Sequence, residues 1–104
     1  MNVSVQSKTL EITEALRLFC EKQAQKVARF SQKISSINIY VENIAKKKND
    51  PAAASVQYAV NVPGQVLVVK RRAADLYEAV VDATNGIMRQ VRKEKEKRIN
   101  KKRG

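Results

Sequence analysis

"ASVQYAVNVPGQVLVVKRR", residues 54–72, decides the fold. Val56, Tyr58, Val60 and Val62 recur at every second position, so they share one side of an extended chain. That period marks a strand with a buried face. Pro63-Gly64 makes a turn into Gln65–Arg72, and the two runs read as a hairpin. On the N-terminal side, "SSINIYVENIA" (35–45) alternates again, with Ile37, Ile39 and Val41 on one face and Asn38, Tyr40 and Glu42 on the other. "KKKNDP" (46–51) separates it from the hairpin as a charged loop whose Asn-Asp-Pro breaks regular structure.

Further out the period changes from two residues to that of a helix. In "EITEALRLFCEKQAQKVARFSQK" (11–33), Leu16, Phe19, Cys20, Ala24, Val27 and Phe30 fall on one broad face. Thr13 is placed to cap this helix, Glu14 suits its first turn, and its end is expected near Ser31 or Lys33. "NVSVQS" (2–7), ahead of it, reads as a short strand on Val3 and Val5. After the hairpin, Asp75 caps a second long helix, "LYEAVVDATNGIMRQVRKEKEKR" (76–98). Its apolar stripe is Leu76, Val80, Ala83, Ile87 and Val91, flanked by Tyr77, Thr84 and Met88. Tyr77 is assigned to the helix–sheet contact. Glu94 stands where the next apolar residue is due, so core contact is expected to stop near Val91. Gly86 lies on the polar side and costs the helix about 1 kcal/mol, with no local reason for its presence.

The expected fold is therefore α+β, in the order β-α-β-β-β-α. A four-stranded sheet carries both helices on one face, like a double-stranded-RNA-binding domain. The first helix is the crossover between two parallel strands, and the other strands form an antiparallel meander. Residues 1–98 are expected to form one domain, followed by a basic mobile tail over 99–104.

Composition narrows the function. The 104 residues carry a formal charge of +11, and the sequence pI is about 10.1. Such a surplus points to a polyanionic partner. A hydrophobic fraction of 43% excludes a wholly disordered chain in spite of 30% charged residues. No apolar run approaches the roughly 18 to 20 residues that span a bilayer. The N-terminus has neither signal-peptide nor transit character. The expectation is a soluble, cytoplasmic protein. The chain has no His, its acidic residues are scattered, and Cys20 is its one cysteine, on an apolar helix face where a buried small hydrophobe is the plainer reading than a nucleophile. Neither catalysis nor a cofactor or metal is expected.

The charge is not evenly spread. The last sixteen residues hold nine Lys or Arg against two Glu, which is +7 of the total. On the first helix Lys22, Lys26, Arg29 and Lys33 fall within an arc of about 60°, while Arg17 lies on the opposite flank beside Glu21. On the second, Arg89, Arg92 and Lys93 face outward, with Lys97 beyond them; Lys70, Arg71 and Arg72 sit at the junction of the last strand and that helix. A solvated helix face is the plain reading of any one such run. Like charges at i, i+4 repel, however, and a helix needing only solubility can interleave Glu on the same flank. Two basic flanks side by side make a furrow on the scale of a nucleic-acid backbone. Base reading has little support: there is no RNP1-like segment, and Tyr40 is more plainly a strand tyrosine than a stacking platform. Shape and phosphate recognition of structured RNA remain.

"SKTLEITEALRLF" (7–19) and "DLYEAVVDATNGIMRQVRKEKEK" (75–97) resemble the ribosome hibernation-promoting factor and ribosome-associated inhibitor family. The most specific parts are Glu11-Ile12-Thr13 with Leu16 and Arg17, Asp75-Leu76-Tyr77, and Arg89-Gln90 followed by alternating Lys. The resemblance implies a stress or stationary-phase protein, and a monomer is expected when it is free. It would sit on the small ribosomal subunit in the channel for mRNA and tRNA, inhibiting translation by occlusion and meeting rRNA through basic residues of both helices. Lys26, Arg29, Arg89, Arg92 and Lys93 match that surface, and the projection adds Lys22, Lys33, Lys97 and Lys70 to Arg72. Gln23 is neutral where some relatives carry a basic residue. The tail is basic, unlike the acidic extension of relatives that oppose ribosome dimerisation, and no tail domain is expected to follow. A short, dimer-promoting type is expected. A general structured-RNA-binding module without ribosome specificity is the alternative.

Overall fold

The computed structural model describes residues 2–8, 10–43 and 53–103, with side chains placed as far as Lys97. Its elements are β1 (Asn2–Gln6), α1 (Glu14–Ala28), β2 (Ser36–Asn43), β3 (Ala54–Val62), β4 (Gln65–Ala73) and α2 (Leu76–Arg103). They form the expected order and one sheet in which the strands lie in sequence order. β1 pairs with β2 in parallel, and the β2–β3 and β3–β4 pairs are antiparallel. Ile44, Ala45 and the KKKNDP loop lie outside the described residues.

The hairpin closes through Pro63 and Gly64, and Gly64 takes a φ of 83°, a left-handed conformation that side chains disfavour. Down the middle of the sheet, Ala54, Val56, Tyr58, Val60 and Val62 of β3 are all buried, as are Ile37, Ile39 and Val41 of β2. Both helices cover that face: α2 lies over β3 and β4, and α1 lies against β1 and α2. No described element covers the other face.

Each helix end has a local cause. Thr13 Oγ1 accepts from the Leu16 amide at 3.2 Å and caps α1. At the other end the Phe30 and Ser31 amides bond back only three residues, to the Val27 and Ala28 carbonyls. Ser31 Oγ then accepts from the Lys33 amide at 3.1 Å, and Ile34 turns into the core. The helix thus stops at Ala28, short of the expected Ser31 to Lys33, and Lys33 belongs to the following turn. In α2 the helical backbone runs through Arg103, so no break in secondary structure marks a boundary at residue 98. Its 28 residues span about 42 Å, longer than the roughly 30 Å of a nine-residue strand.

Among the described residues the core holds a polar network. Thr84 Oγ1 donates to the Val80 carbonyl at 2.6 Å, so the Tyr58 hydroxyl, 2.7 Å away, supplies the proton between them. Burial pushes the Tyr58 phenol above its ordinary pKa. Cys20 is fully buried, and its thiol is pushed up to about 11 by burial, with Glu21 adding to the shift. It packs as a small hydrophobe.

Three expectations about α2 change. Gly86 is buried against β4, not set on a polar side: a Cβ there would lie 2.9 Å from Val69 Cγ1 and 2.8 Å from Arg71 Nη2. Close approach of helix to strand requires the glycine. Glu94 continues the buried stripe, at 9% exposure, so the core-facing side runs one turn past Val91. Tyr77 meets Phe19 edge-on, with ring centroids 4.9 Å apart, and so joins the two helices instead of helix and sheet.

Candidate nucleic-acid interface

The directions of the helices position the cations. β1, β2 and β4 point the same way. α1 and α2 each double back from the end of one of these strands, so they run parallel. Two contacts agree: Phe19 of α1 meets Tyr77 in the first turn of α2, and Phe30, just past the end of α1, meets Arg92 further along α2.

Phe19 also shows which flank of α1 faces α2. Lys22, Lys26 and Arg29 follow it at i+3, i+7 and i+10, which keeps them on that flank at about 100° per residue. All three are exposed. Gln23, beside them, is only 8% exposed and lies deeper on the same flank. A neutral side chain suits that depth better than a charge does.

On α2, Arg92 and Lys95 belong to the flank of Tyr77 and face α1. The Arg92 guanidinium lies over the Phe30 ring, 5.5 Å from its centroid. Lys95 Nζ donates to the Phe30 carbonyl at 3.2 Å. Arg89 projects outward from the crest of α2. Lys93 and Lys97, at i+7 and i+11 from the sheet-facing Gly86, lie on the slope toward β4. The furrow is therefore lined by Lys22, Lys26 and Arg29 on one side and by Arg92 and Lys95 on the other. Arg89 stands above it, Lys33 lies beyond the end of α1, and Lys93 and Lys97 are outside it on the same layer. Lys95 escaped the sequence reading because it sits in an alternating Lys-Glu run; its i+3 spacing from Arg92 was the available signal.

Because the helices run parallel, the charge divides along their length. Glu14, Glu21, Asp75, Glu78 and Asp82 lie toward the starts of α1 and α2, whereas Lys22, Lys26, Arg29, Arg89 and Arg92 lie toward the far end. Exposed Leu18, Tyr77 and Val81 accompany the acidic end. The layer is cationic at one end, not throughout.

Lys70, Arg71 and Arg72 do not form one patch at a strand–helix junction. All three lie inside β4, and the pleat separates them. Arg71 pairs across from Val56 and approaches Gly86 on the helix side. Lys70 and Arg72, opposite Gln57 and Ser55, point to the uncovered face. Those two cannot share a flat contact with the helical furrow.

A sequence profile describing the sigma 54 modulation protein / S30EA ribosomal protein family matches residues 3–99. The chain belongs to this family. Among curated relatives of this S30EA-family chain, the ribosome hibernation promotion factor of Deinococcus radiodurans is 26% identical over 86 residues, covering 83% of this chain and 44% of that protein. The chain thus spans less than half the length of that relative. The ribosome hibernation promoting factor of Azotobacter vinelandii is 26% identical over 106 aligned residues, covering 100% of this chain and 92% of that protein. Among solved structures, the N-terminal domain of Thermus thermophilus Protein Y superposes with a TM-score of 0.75 at 28% identity, covering 89% of this chain and 98% of that one. A ribosomal subunit interface protein from Coxiella burnetii shares the fold, with a TM-score of 0.75 at 23% identity over 92% of this chain and 99% of that one. The resemblance carried by residues 7–19 and 75–97 is borne out at the level of the family. Among the described residues no helix is long and apolar enough to cross a membrane.

Proposed function

We propose that this chain is a ribosome hibernation factor acting in the cytoplasm. It binds the small ribosomal subunit in the channel for mRNA and tRNA and inhibits translation by occlusion during stress or stationary phase. The observation that carries this reading is the furrow between two parallel helices. Lys22, Lys26 and Arg29 face Arg92 across it, and Arg92 is held in place over Phe30. The charge suits phosphates, and the deep, narrow major groove of A-form RNA keeps side chains from its bases, so the contact is with the shape and backbone of folded rRNA. The names of the two curated relatives support the ribosome as its site.

The test is co-sedimentation with small subunits. Binding is expected to survive excess competitor RNA and to be lost when tRNA fills the channel, and cryo-EM of the complex is expected to place α1 and α2 against rRNA. Removal by competitor RNA would make it a general binder of structured RNA. Unchanged binding after Lys26, Arg29, Arg89 and Lys93 are all reversed to Glu would leave the charge a matter of solubility.

A further inference from the structure

On the face of the sheet away from the helices, one row crosses all four strands. Gln6 pairs with Tyr40, Tyr40 with Gln57, and Gln57 with Lys70. At about 4.8 Å between strands, Lys70 stands roughly 10 Å from Tyr40. The segment after β1 borders this row, and together they line a cavity of about 450 Å³ that includes Gln6, Lys8, Tyr40, Gln57 and Lys70. Tyr40 is 37% exposed there, unlike the fully buried Tyr58.

Polar side chains elsewhere on this face satisfy one another. Ser4 Oγ donates to Asn38 Oδ1 at 2.6 Å, and Asn61 Nδ2 donates to Ser36 Oγ at 2.6 Å. Within the described residues, the side chains of Gln6, Tyr40, Gln57 and Lys70 make no such bond. The nearby carboxylate, Glu42, accepts from the Lys8 amide at 2.7 Å, in a row it shares with Ser55 and Arg72. Lys8, Lys70 and Arg72 outweigh that single negative charge. An aromatic ring flanked by two free amides, with cations at reach, matches an aromatic base joined to a phosphate.

We propose that this face is a second RNA-binding site, which takes an unpaired nucleotide. The base stacks on Tyr40, the amides of Gln6 and Gln57 meet its edge, and Lys70 with Arg72 holds the adjoining phosphate. Each amide both donates and accepts, so the site tolerates any base. It discriminates against duplex, because only an unstacked base presents a free ring face. It lies opposite the helical furrow, so a strand held here does not compete with rRNA held there.

The test is fluorescence anisotropy of the free protein with a labelled hexauridylate and with an RNA duplex of the same phosphate count. No ribosome is present, so its failure is distinct from that of the channel-binding reading. Tyr40→Ala is expected to weaken the single strand about 5- to 150-fold, following the usual value of a stacked base, and to leave the duplex unchanged. Tyr40→Phe and Tyr40→Trp, which keep a ring, retain binding. Lys70→Ala lowers the salt slope for the single strand by about 0.7. Lys26→Glu with Arg29→Glu is expected to do the converse, weakening the duplex more. Equal loss for both RNAs in Tyr40→Ala, or no loss for either, would overturn the proposal. So would self-association of the free protein that Val68→Lys abolishes while Tyr40→Ala leaves RNA binding intact, which would assign the face to a protein contact.

Discussion

Arg92 holds its guanidinium carbon 5.5 Å from the centroid of the Phe30 ring. The ring belongs to the first residues after α1 and the cation to the middle of α2, so one contact joins the helical layer at its basic end. A guanidinium held over a ring keeps N–H donors to spare for phosphate.

Phe30→Leu keeps apolar bulk but removes the ring. An exposed cation–π contact is worth about 0.5–1 kcal/mol. Small-subunit affinity is therefore expected to fall by up to about 2- to 5-fold, and the thermal midpoint by about 2–8 °C, since the same contact joins the folded layer. Titration of labelled protein with subunits checks this; an unchanged affinity would detach Arg92 from the interface.

Replacing Lys26, Arg29 or Arg92 with Gln, one at a time, removes single phosphate contacts. Each variant is expected to reduce the slope of log K against log salt by about 0.7–0.9. Arg17→Gln, on the opposite flank of α1, should leave the slope as it is. A slope that responds equally to Arg17 would mean that binding follows net charge alone.

Thr84→Val deletes the acceptor of the buried Tyr58 hydroxyl. An unsatisfied buried donor costs about 1–3 kcal/mol, and each kcal/mol lowers the melting midpoint of a domain this size by about 4–8 °C. Tyr58→Phe should be milder, since Thr84 keeps its bond to the Val80 carbonyl. Thermal melts of the two variants decide the order.

Gly86→Ala sets two effects against each other. Alanine favours a helix by about 1 kcal/mol over glycine, but the new Cβ would lie 2.9 Å from Val69 Cγ1 on the buried side of β4. The Arg71 side chain can swing away, whereas Val69 is only 6% exposed and has little room to move. Net destabilisation is expected. Adding Val69→Ala should reduce the penalty in a double-mutant cycle, through an interaction energy of about 0.5 kcal/mol or more.

Cys20 predicts a pH dependence. Its thiol is raised from the usual 9.0 to about 11 by burial first and Glu21 second. The unfolded chain therefore releases this proton before the folded chain does. The stabilisation is complete below pH 9, and it is lost as pH climbs through about 11. Melting midpoints should fall more steeply over that window in the natural protein than in Cys20→Ala. A thiol reagent at pH 8 should leave the folded protein unmodified; fast labelling would contradict the burial.

Much of this was legible in the sequence, for a definite reason. The helices and the central strands bury one face each, and the two periods write that face into the residue order, as Val56-Tyr58-Val60 and Leu16-Cys20-Val27 show. The misreadings arise where the pattern continues past the structure or carries no period. Phe30 extends the apolar stripe of α1 but reaches the core's edge from a turn. Three consecutive cations at 70–72 conceal an alternation that sends Arg71 one way and its neighbours the other. Gly86 answers to Val69, a residue remote in the chain, and no local signal reports it. The cationic flanks were visible by projection, but which of them adjoin depends on the helices running parallel.

The direction of α1 also sets the backbone against the ligand. α1 aims the partially negative pole of its peptide dipole at the end where its cations gather, whereas that of α2 lies at Arg103, well past Arg92. Just past the end of α1, the Phe30 carbonyl accepts a hydrogen bond from Lys95. Part of the positive surplus is thus engaged in screening the protein's own main chain, and the field an approaching polyanion meets is weaker than a formal +11 implies.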